Sequence, residues 1–266
     1  MHNHLMAILL CLGCTSKKAH PSGDAHAFSD TAENADDTTE DATLPNKCDT
    51  SAATAGCLSP KFDPEYYVEQ AHKYFNTMDT AEDRDDAPEY AEWVVRWEWP
   101  PWLLLTAFGA EHIKNTDLLL RAYPSTIPER DCRFFETQPF ARCKVTFYYE
   151  DEAHEGRGCP IYEEFAFNDA GEMTVIEAWS DVDGLRPLTA PDDWAEAADV
   201  HRLSTKIPGL GTADGQLDIN GEEMATAATE DVELADLIHR ANNWTETWTE
   251  AYEAAGDSLW ADGCGW

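Results

Sequence analysis

The chain has 266 residues, and its 52 acidic against 18 basic side chains give a formal net charge of −34 and an isoelectric point near 4.3. Such a surface repels phosphate backbones, which excludes nucleic-acid binding, and it disfavours electrostatic attachment to anionic membranes. Cationic partners, basic ligands and a saline medium remain compatible with this charge. Hydrophobic residues at 43% and ten tryptophans are enough for a core, so the composition excludes a wholly disordered chain.

The N-terminal segment is typical of an export signal. Residues 5–12 form an apolar run of about eight residues, whereas a membrane-spanning helix needs roughly 20. Gly13-Cys14 closes the run, and this pattern resembles a bacterial lipoprotein signal, whose cysteine becomes the lipidated first residue of the mature chain. We expect a signal peptide over residues 1–14, lipidation of Cys14 and a location in the cell envelope, at the outer membrane or facing the periplasm. The alternative is a misassigned start followed by a short buried segment.

An acidic tether is predicted next, over residues 15–60. This stretch is rich in Asp, Glu, Thr, Ala and Ser, has a single aromatic residue, Phe28, and shows no apolar periodicity. It cannot bury enough surface to offset the entropy cost of ordering it. Such a composition suits a tether that holds a folded domain away from a membrane.

The remaining cysteines form an even set of six, as expected for a protein outside the cytoplasm. We expect Cys48 and Cys57 to close a short loop at the end of the tether. The other four allow three pairings, among which the sequence does not choose, and free buried thiols are the alternative. These four are Cys132, Cys143, Cys159 and Cys264.

Three helices are predicted at the start of the folded part. Asp63-Pro64-Glu65 supplies a cap and a first-turn proline for a helix that runs to Met78. Aromatic and valine residues at helical spacing predict a second helix over residues 90–97, ended by Pro100-Pro101. A third helix is expected over residues 110–123.

The apolar period then changes to two, which predicts strands at residues 143–149, 161–167 and 173–179 and another at 133–137. Loops follow Asp181, and a long final helix is expected over residues 231–255. Helices followed by an antiparallel meander predict an α+β domain over residues 61–185, with a loop and helical extension over residues 186–266 packed on it.

This order of elements resembles the nuclear transport factor 2-like, or SnoaL-like, superfamily over residues 62–185. The resemblance lies in the aromatic first helix, the Trp97-Glu-Trp99 turn, the helix led by Gly109 and a last hairpin that closes on Trp179-x-Asp181. It implies a curved antiparallel sheet wrapped around a helix to form a conical pocket. Family members serve as isomerases, dehydratases, epoxide hydrolases or cyclases, or they only bind ligands or partners. The stretch after Asp181 has no counterpart in the basic family pattern, and it would lid the pocket or cover the other face of the sheet. A homodimer is also compatible with the sequence.

The hairpin register points to one candidate acid–base pair. A three-residue loop ending at Gly171 makes Asn168 and Glu172 partners, so Glu163 falls opposite Glu177 on an apolar face. Two carboxylates this close do not both ionise cheaply, and a carboxyl with a raised pKa suits proton abstraction or general-acid work. Three alternatives remain open: a register slip, neutralisation by a nearby arginine (Arg96, Arg133 or Arg142), and a face turned to water.

Further site residues are predicted by position. Asp181 follows the last strand, where it would serve as a rim acid or simply form a turn. Aromatic side chains for a flat apolar ligand are expected, with ordinary core packing as the alternative. They are Trp97, Trp99, Trp102, Tyr148, Phe165 and Trp179. No phosphate-binding, calcium or zinc motif fits, so we expect no cofactor and no metal.

These observations favour an exported, membrane-anchored lipoprotein whose cone-shaped domain binds a small apolar molecule. One alternative is an isomerase, dehydratase or cyclase that uses Glu163 and Glu177 as its acid and base. Another is an interaction or scaffold module. Lipid anchoring favours the binding or scaffold hypotheses, and the two glutamates favour the enzyme; family resemblance constrains the fold more firmly than the function.

Overall fold

A computed structural model describes residues 59–83, 85–102, 107–121, 124–150, 154–188, 192–197, 200–208, 218–255 and 258–266. The predicted signal peptide with Cys14, nearly all of the tether and the Cys48–Cys57 loop lie outside these residues. The boundaries predicted for those segments therefore remain predictions.

The first helix, α1, spans Pro64–Met78, as predicted. Pro64 occupies its first turn, where the missing backbone N–H costs nothing, and Glu65 lies in the same turn, near the positive end of the helix dipole. One side of α1 is buried and strongly aromatic; it includes Tyr67, Tyr74 and Phe75. This side packs on the sheet.

The predicted second helix is wrong: residues Tyr90–Glu98 form a strand, β1. Apolar residues in this stretch fit helical spacing, but consecutive residues Val94 to Trp97 are all buried in the structure. A strand covered on both faces buries neighbouring residues in this way. The β-branched pair Val94-Val95 also favours a strand.

The remaining strands complete one six-stranded sheet. Their bounds are Ala107–Phe108 for β2, Ser125–Phe134 for β3, Ala141–Tyr149 for β4, Gly158–Phe167 for β5 and Met173–Ser180 for β6. A helix, α2, spans Ala110–Arg121 between β2 and β3. The strand order is β2-β1-β6-β5-β4-β3, and β1 runs parallel to β6 while all other neighbours are antiparallel. The fold is α+β, but the sheet is mixed rather than purely antiparallel.

Both faces of the sheet are covered. On one face, here called the α1 face, Phe165 and Ile176 share a core with Phe75 of α1. On the other, the opposite face, Trp97 and Val175 share a core with residues of the C-terminal part such as Leu203, Leu237 and Ala241. Much of the stretch after Asp181 thus covers the face of the sheet that α1 does not.

The described residues of the C-terminal part form four helices: α3 (Glu222–Ala227), α4 (Val232–Asn242), α5 (Trp244–Ala255) and α6 (Ser258–Cys264). The predicted single helix over residues 231–255 is interrupted at Asn243. The backbone of Asn243 leaves the helical region, with φ −126° and ψ 31°, and its side-chain amide donates to the carbonyl oxygen of His239. An Asn that bonds the preceding turn commonly ends a helix.

Two disulfides select one of the three pairings that the sequence left open. Cys132–Cys143 joins directly paired residues of β3 and β4. Cys159–Cys264 ties β5 to the end of α6 across 105 residues. Leu259 of α6 is buried in the same core as α1, so α6 packs at the α1 face.

Candidate functional site

The hairpin that was expected to pair Glu163 with Glu177 has a different register. Its turn is as predicted, with the Asn168 backbone N–H bonded to the carbonyl of Glu172, and Phe167 lies opposite Met173. The next pair is Ala166 with Val175, so Thr174 is an extra residue in β6. Such a bulge shifts the register by one and changes which residues share a face.

The predicted pair is therefore split between the two faces. Glu177 lies opposite Glu164, and Glu163 lies opposite Ala178. Ala178 belongs to the α1-face core, which places Glu163 on the α1 face. The Glu177 carboxylate instead accepts a hydrogen bond from the backbone N–H of Leu203, which lies on the opposite face. The same shift puts Ile161 opposite Ser180 and Phe165 opposite Ile176.

Glu177 is held on the opposite face by donors to both of its carboxylate oxygens. One oxygen accepts the Leu203 backbone N–H at 2.6 Å and the Trp99 indole N–H at 3.1 Å, and the other accepts the Ser204 backbone N–H at 3.0 Å. Burial raises the pKa of Glu177, and the nearby Glu164 carboxylate raises it further, while the backbone donors lower it. Its oxygens are thus already engaged by the protein.

Glu164 forms the centre of a buried ionic network next to Glu177. Arg202 donates to its two oxygens at 2.5 and 2.9 Å, and the Tyr162 hydroxyl donates at 2.7 Å. Arg142 lies 3.9 Å away and donates to the backbone oxygen of Trp194. Burial and the Glu164 carboxylate raise the pKa of Tyr162 strongly, so the phenol stays protonated and donates.

This network attaches the described stretches 194–197 and 200–204 to the sheet. Of its members, sequence reasoning named Arg142 only as a possible neutraliser and missed Glu164 and Arg202. Arg202 is 38 residues from Glu164 along the chain and sits among loops, so no local spacing signals the contact.

On the α1 face, charged side chains surround one small residue. Ala178 is flanked by Glu163 on β5 and by Glu98 on β1. Arg96, two residues before Glu98, is 1% exposed and lies over the Tyr74 ring of α1 at 5.1 Å. Glu163 is 4% exposed. An acid and a guanidinium are thus buried in the mainly aromatic layer between α1 and the sheet.

The predicted ligand-binding aromatics do not share one surface. Trp97, Trp99 and Trp179 gather on the opposite face, with ring centroids 5.9 Å apart for Trp97–Trp99 and 6.0 Å for Trp99–Trp179. Phe165 and Trp102 belong to the α1-face core, where Phe165 contacts α1. Their roles as ligand contacts remain predictions.

Asp181 lines a separate groove, and Tyr148 contacts Glu129, another residue of its lining. The groove has a volume of about 370 Å³. The Asp181 carboxylate pairs with Arg186 at 2.8 Å, and the Tyr148 hydroxyl donates to Glu129 at 2.9 Å, which raises the pKa of Tyr148. Neither Glu163 nor Glu177, the other predicted catalytic acids, lines this groove. The groove is lined by Glu129, Arg130, Asp131, Lys144, Val145, Thr146, Pro160 and Asp181.

The described part of the chain holds neither a cluster of metal-binding side chains nor a membrane-spanning helix. No group of three or more His, Cys, Asp or Glu side chains is arranged there to hold a metal ion. In the same residues, no helix has the length and apolar character needed to cross a membrane.

Comparison with known proteins adds no family assignment. No protein-family model matches the chain, and no curated protein matches it. The contacts above are therefore the observations from which a function is proposed.

Proposed function

We propose that the chain is an exported lipoprotein, anchored through Cys14, whose SnoaL-like domain binds a small and mostly apolar molecule between α1 and the sheet. The α+β fold and the packing of an aromatic α1 on a six-stranded sheet support this proposal. The cone-shaped pocket and the family membership belong to the proposal, as does the anchor.

The observation that carries the binding function is the composition of the α1 face around Ala178. Ligand sites are mainly apolar and aromatic, with a few placed polar groups that orient the ligand. Here Phe165, Tyr74 and Phe75 supply the aromatic part, and Arg96 and Glu163 supply buried charge. Because charged side chains are seldom buried in a core, their presence here favours a site over simple packing.

The acid–base alternative is less well supported by the same geometry. Glu163 and Glu177 lie on opposite faces of the sheet, so they do not share a proton as a dyad. Glu177 is engaged by three donors and covered by the segment around Leu203. An enzyme would have to use Glu163 with partners on the α1 face, and we therefore prefer binding.

Enlarging the side chain at position 178 tests the site. We expect the full chain to bind the apolar dye N-phenylnaphthylamine saturably, and Ala178→Leu to weaken binding by about tenfold or more, since added core atoms displace a ligand or distort its site. Ala235→Leu, an equal addition at an exposed position on α4, is the control and should bind as wild type does. Ala178→Val serves if the leucine variant fails to fold. The proposed function would be contradicted if the wild type showed no saturable binding. It would also be contradicted if both Ala178 variants bound the dye as tightly as the wild type does.

Lipidation is tested separately from binding. Expression in a bacterium fed labelled palmitate should label the full chain, and Cys14→Ser should abolish the label because the acyl groups attach to that cysteine. Cys11→Ser is the matched control, since it removes a neighbouring cysteine from the same segment. Equal labelling of Cys14→Ser and the wild type would show that Cys14 is not the anchor.

A further inference from the structure

Two buried polar groups at the α1 face have no hydrogen-bond partner among the described residues. They are the indole N–H of Trp102, a residue 8% exposed, and the hydroxyl of Ser180, a residue with no exposed surface. Buried polar groups in folded proteins almost always have a partner, because leaving one unmet costs free energy. Two such groups on one face therefore indicate that a hydrogen-bond partner from outside the described residues binds there.

Both groups lie at the same end of the α1-face core. Trp102 packs against Gly263 of α6 so closely that a Cβ on Gly263 would be 2.5 Å from the indole Cζ2. The neighbour of Gly263, Cys264, is bonded to Cys159 of β5. Two residues further along β5, Ile161 shares the face of Cys159 and pairs directly with Ser180.

Ser180 is turned toward this core by the alternation of β6. Ala178 belongs to the α1-face core, and Trp179 to a core on the opposite face, so the next side chain returns to the α1 face. Ser180 is two residues from Ala178 along β6 and therefore lies next to it on the same face; Ala178 is at the centre of the proposed site. The Trp102 indole N–H, the Ser180 hydroxyl and the proposed ligand site therefore all lie on the α1 face of the sheet.

The chemistry of these groups defines what would satisfy them. An indole N–H can only donate a hydrogen bond, and a serine hydroxyl can donate one. Both therefore suit an acceptor oxygen on the ligand. A net charge of −34 disfavours an anionic ligand, which leaves a neutral acceptor such as a ketone, ester or amide carbonyl.

We propose that the ligand of the α1-face site is an apolar molecule bearing a neutral carbonyl-type acceptor, which Trp102 and Ser180 bind. This inference rests on the proposed function and adds the class of ligand. The two residues give the site its selectivity for a polar substituent, while the aromatic side chains bind the apolar body of the ligand.

A matched pair of ligands tests the inference. Acetylnaphthalene and ethylnaphthalene have similar shapes, but only the first carries a carbonyl; each is titrated against N-phenylnaphthylamine bound to the full chain. One neutral hydrogen bond predicts that the wild type binds the ketone about threefold to tenfold more tightly. Ser180→Ala and Trp102→Phe should each reduce that preference, and together they should abolish it.

Thr174→Val is the matched control. Thr174 is also buried, and its hydroxyl also has no partner among the described residues, but it lies six residues from Ser180, about 20 Å along β6. This variant should keep the ketone preference. Ser180→Ala removes a buried unmet hydroxyl, so its melting temperature should equal or exceed that of the wild type, which keeps its binding result interpretable.

The outcomes separate the inference from the function it builds on. Dye binding without a ketone preference in the wild type, or a preference unchanged in the double variant, overturns the inference and leaves the binding function intact. A preference lost equally in Thr174→Val also overturns it, because the effect would then not be local. Absence of saturable dye binding contradicts the proposed function, and the inference falls with it.

Discussion

Replacing Glu164 with alanine is expected to lower the free energy of unfolding by about 3–5 kcal/mol, because it leaves buried arginine side chains without their counter-charge. Glu164 is 1% exposed and accepts two hydrogen bonds from Arg202, whose side chain is 9% exposed. The Tyr162 hydroxyl would lose its carboxylate acceptor as well. Urea unfolding of the full chain measures the difference, read from the shift of the midpoint at constant slope.

The control for this prediction is an exposed pair of the same chemical kind. Asp131 and Arg133 form an ion pair with side chains 52% and 54% exposed, so Asp131→Ala should cost less than about 1 kcal/mol. The double variant Glu164→Leu/Arg202→Met should be less destabilised than Glu164→Ala, since replacing both buried charges removes the uncompensated one. If Glu164→Ala lowered the free energy of unfolding no more than Asp131→Ala does, the buried network would not stabilise the attachment of residues 194–197 and 200–204 to the sheet.

Removing the Cys159–Cys264 disulfide is the second large expected effect. Replacing both cysteines with serine should cost about 5 kcal/mol, because the bond closes a loop of 105 residues and restricts the unfolded chain accordingly. The bond also holds α6 against the core, where Leu259 is buried. Thermal and urea unfolding under non-reducing conditions measure the loss.

The second disulfide provides the comparison. Cys132 and Cys143 are 11 residues apart, so the corresponding serine pair should cost about 3 kcal/mol on the same entropic account. Both variants place two serine hydroxyls at sites that are buried, except that Cys132 is partly buried, so their difference reports mainly the loop lengths. Equal losses for the two variants would contradict the loop-length argument and point to local packing as the main contribution.

Features set by neighbours within a few residues were predictable. The Asp63-Pro64 start and the aromatic spacing predicted α1, and Gly109 preceded α2 as expected. The Asn168–Gly171 turn and its flanking strands were also located correctly. Turn chemistry and hydrophobic period act over short distances, and the amino-acid sequence records them directly.

Features set by distant parts of the chain were not predictable in the same way. Residues 90–97 carry apolar side chains at a spacing that suits a helix, and pairing with the parallel strand β6 and cover on both faces decide in favour of a strand. The single extra residue Thr174 separated Glu163 from Glu177. No residue type at that position signals a bulge, because the bulge depends on how β5 and β6 fit their neighbours.

By itself, then, the amino-acid sequence determined the strong acidity, the even number of cysteines, the first helix, the last hairpin and the α+β class of this protein. Tertiary structure alone decided which acid stands opposite Glu177, which cysteines pair, and that Arg202 reaches Glu164 from 38 residues away. The physical reason is the range of the interactions. Local conformational preferences are encoded residue by residue, whereas register, disulfide pairing and buried charge networks emerge only when distant segments pack together.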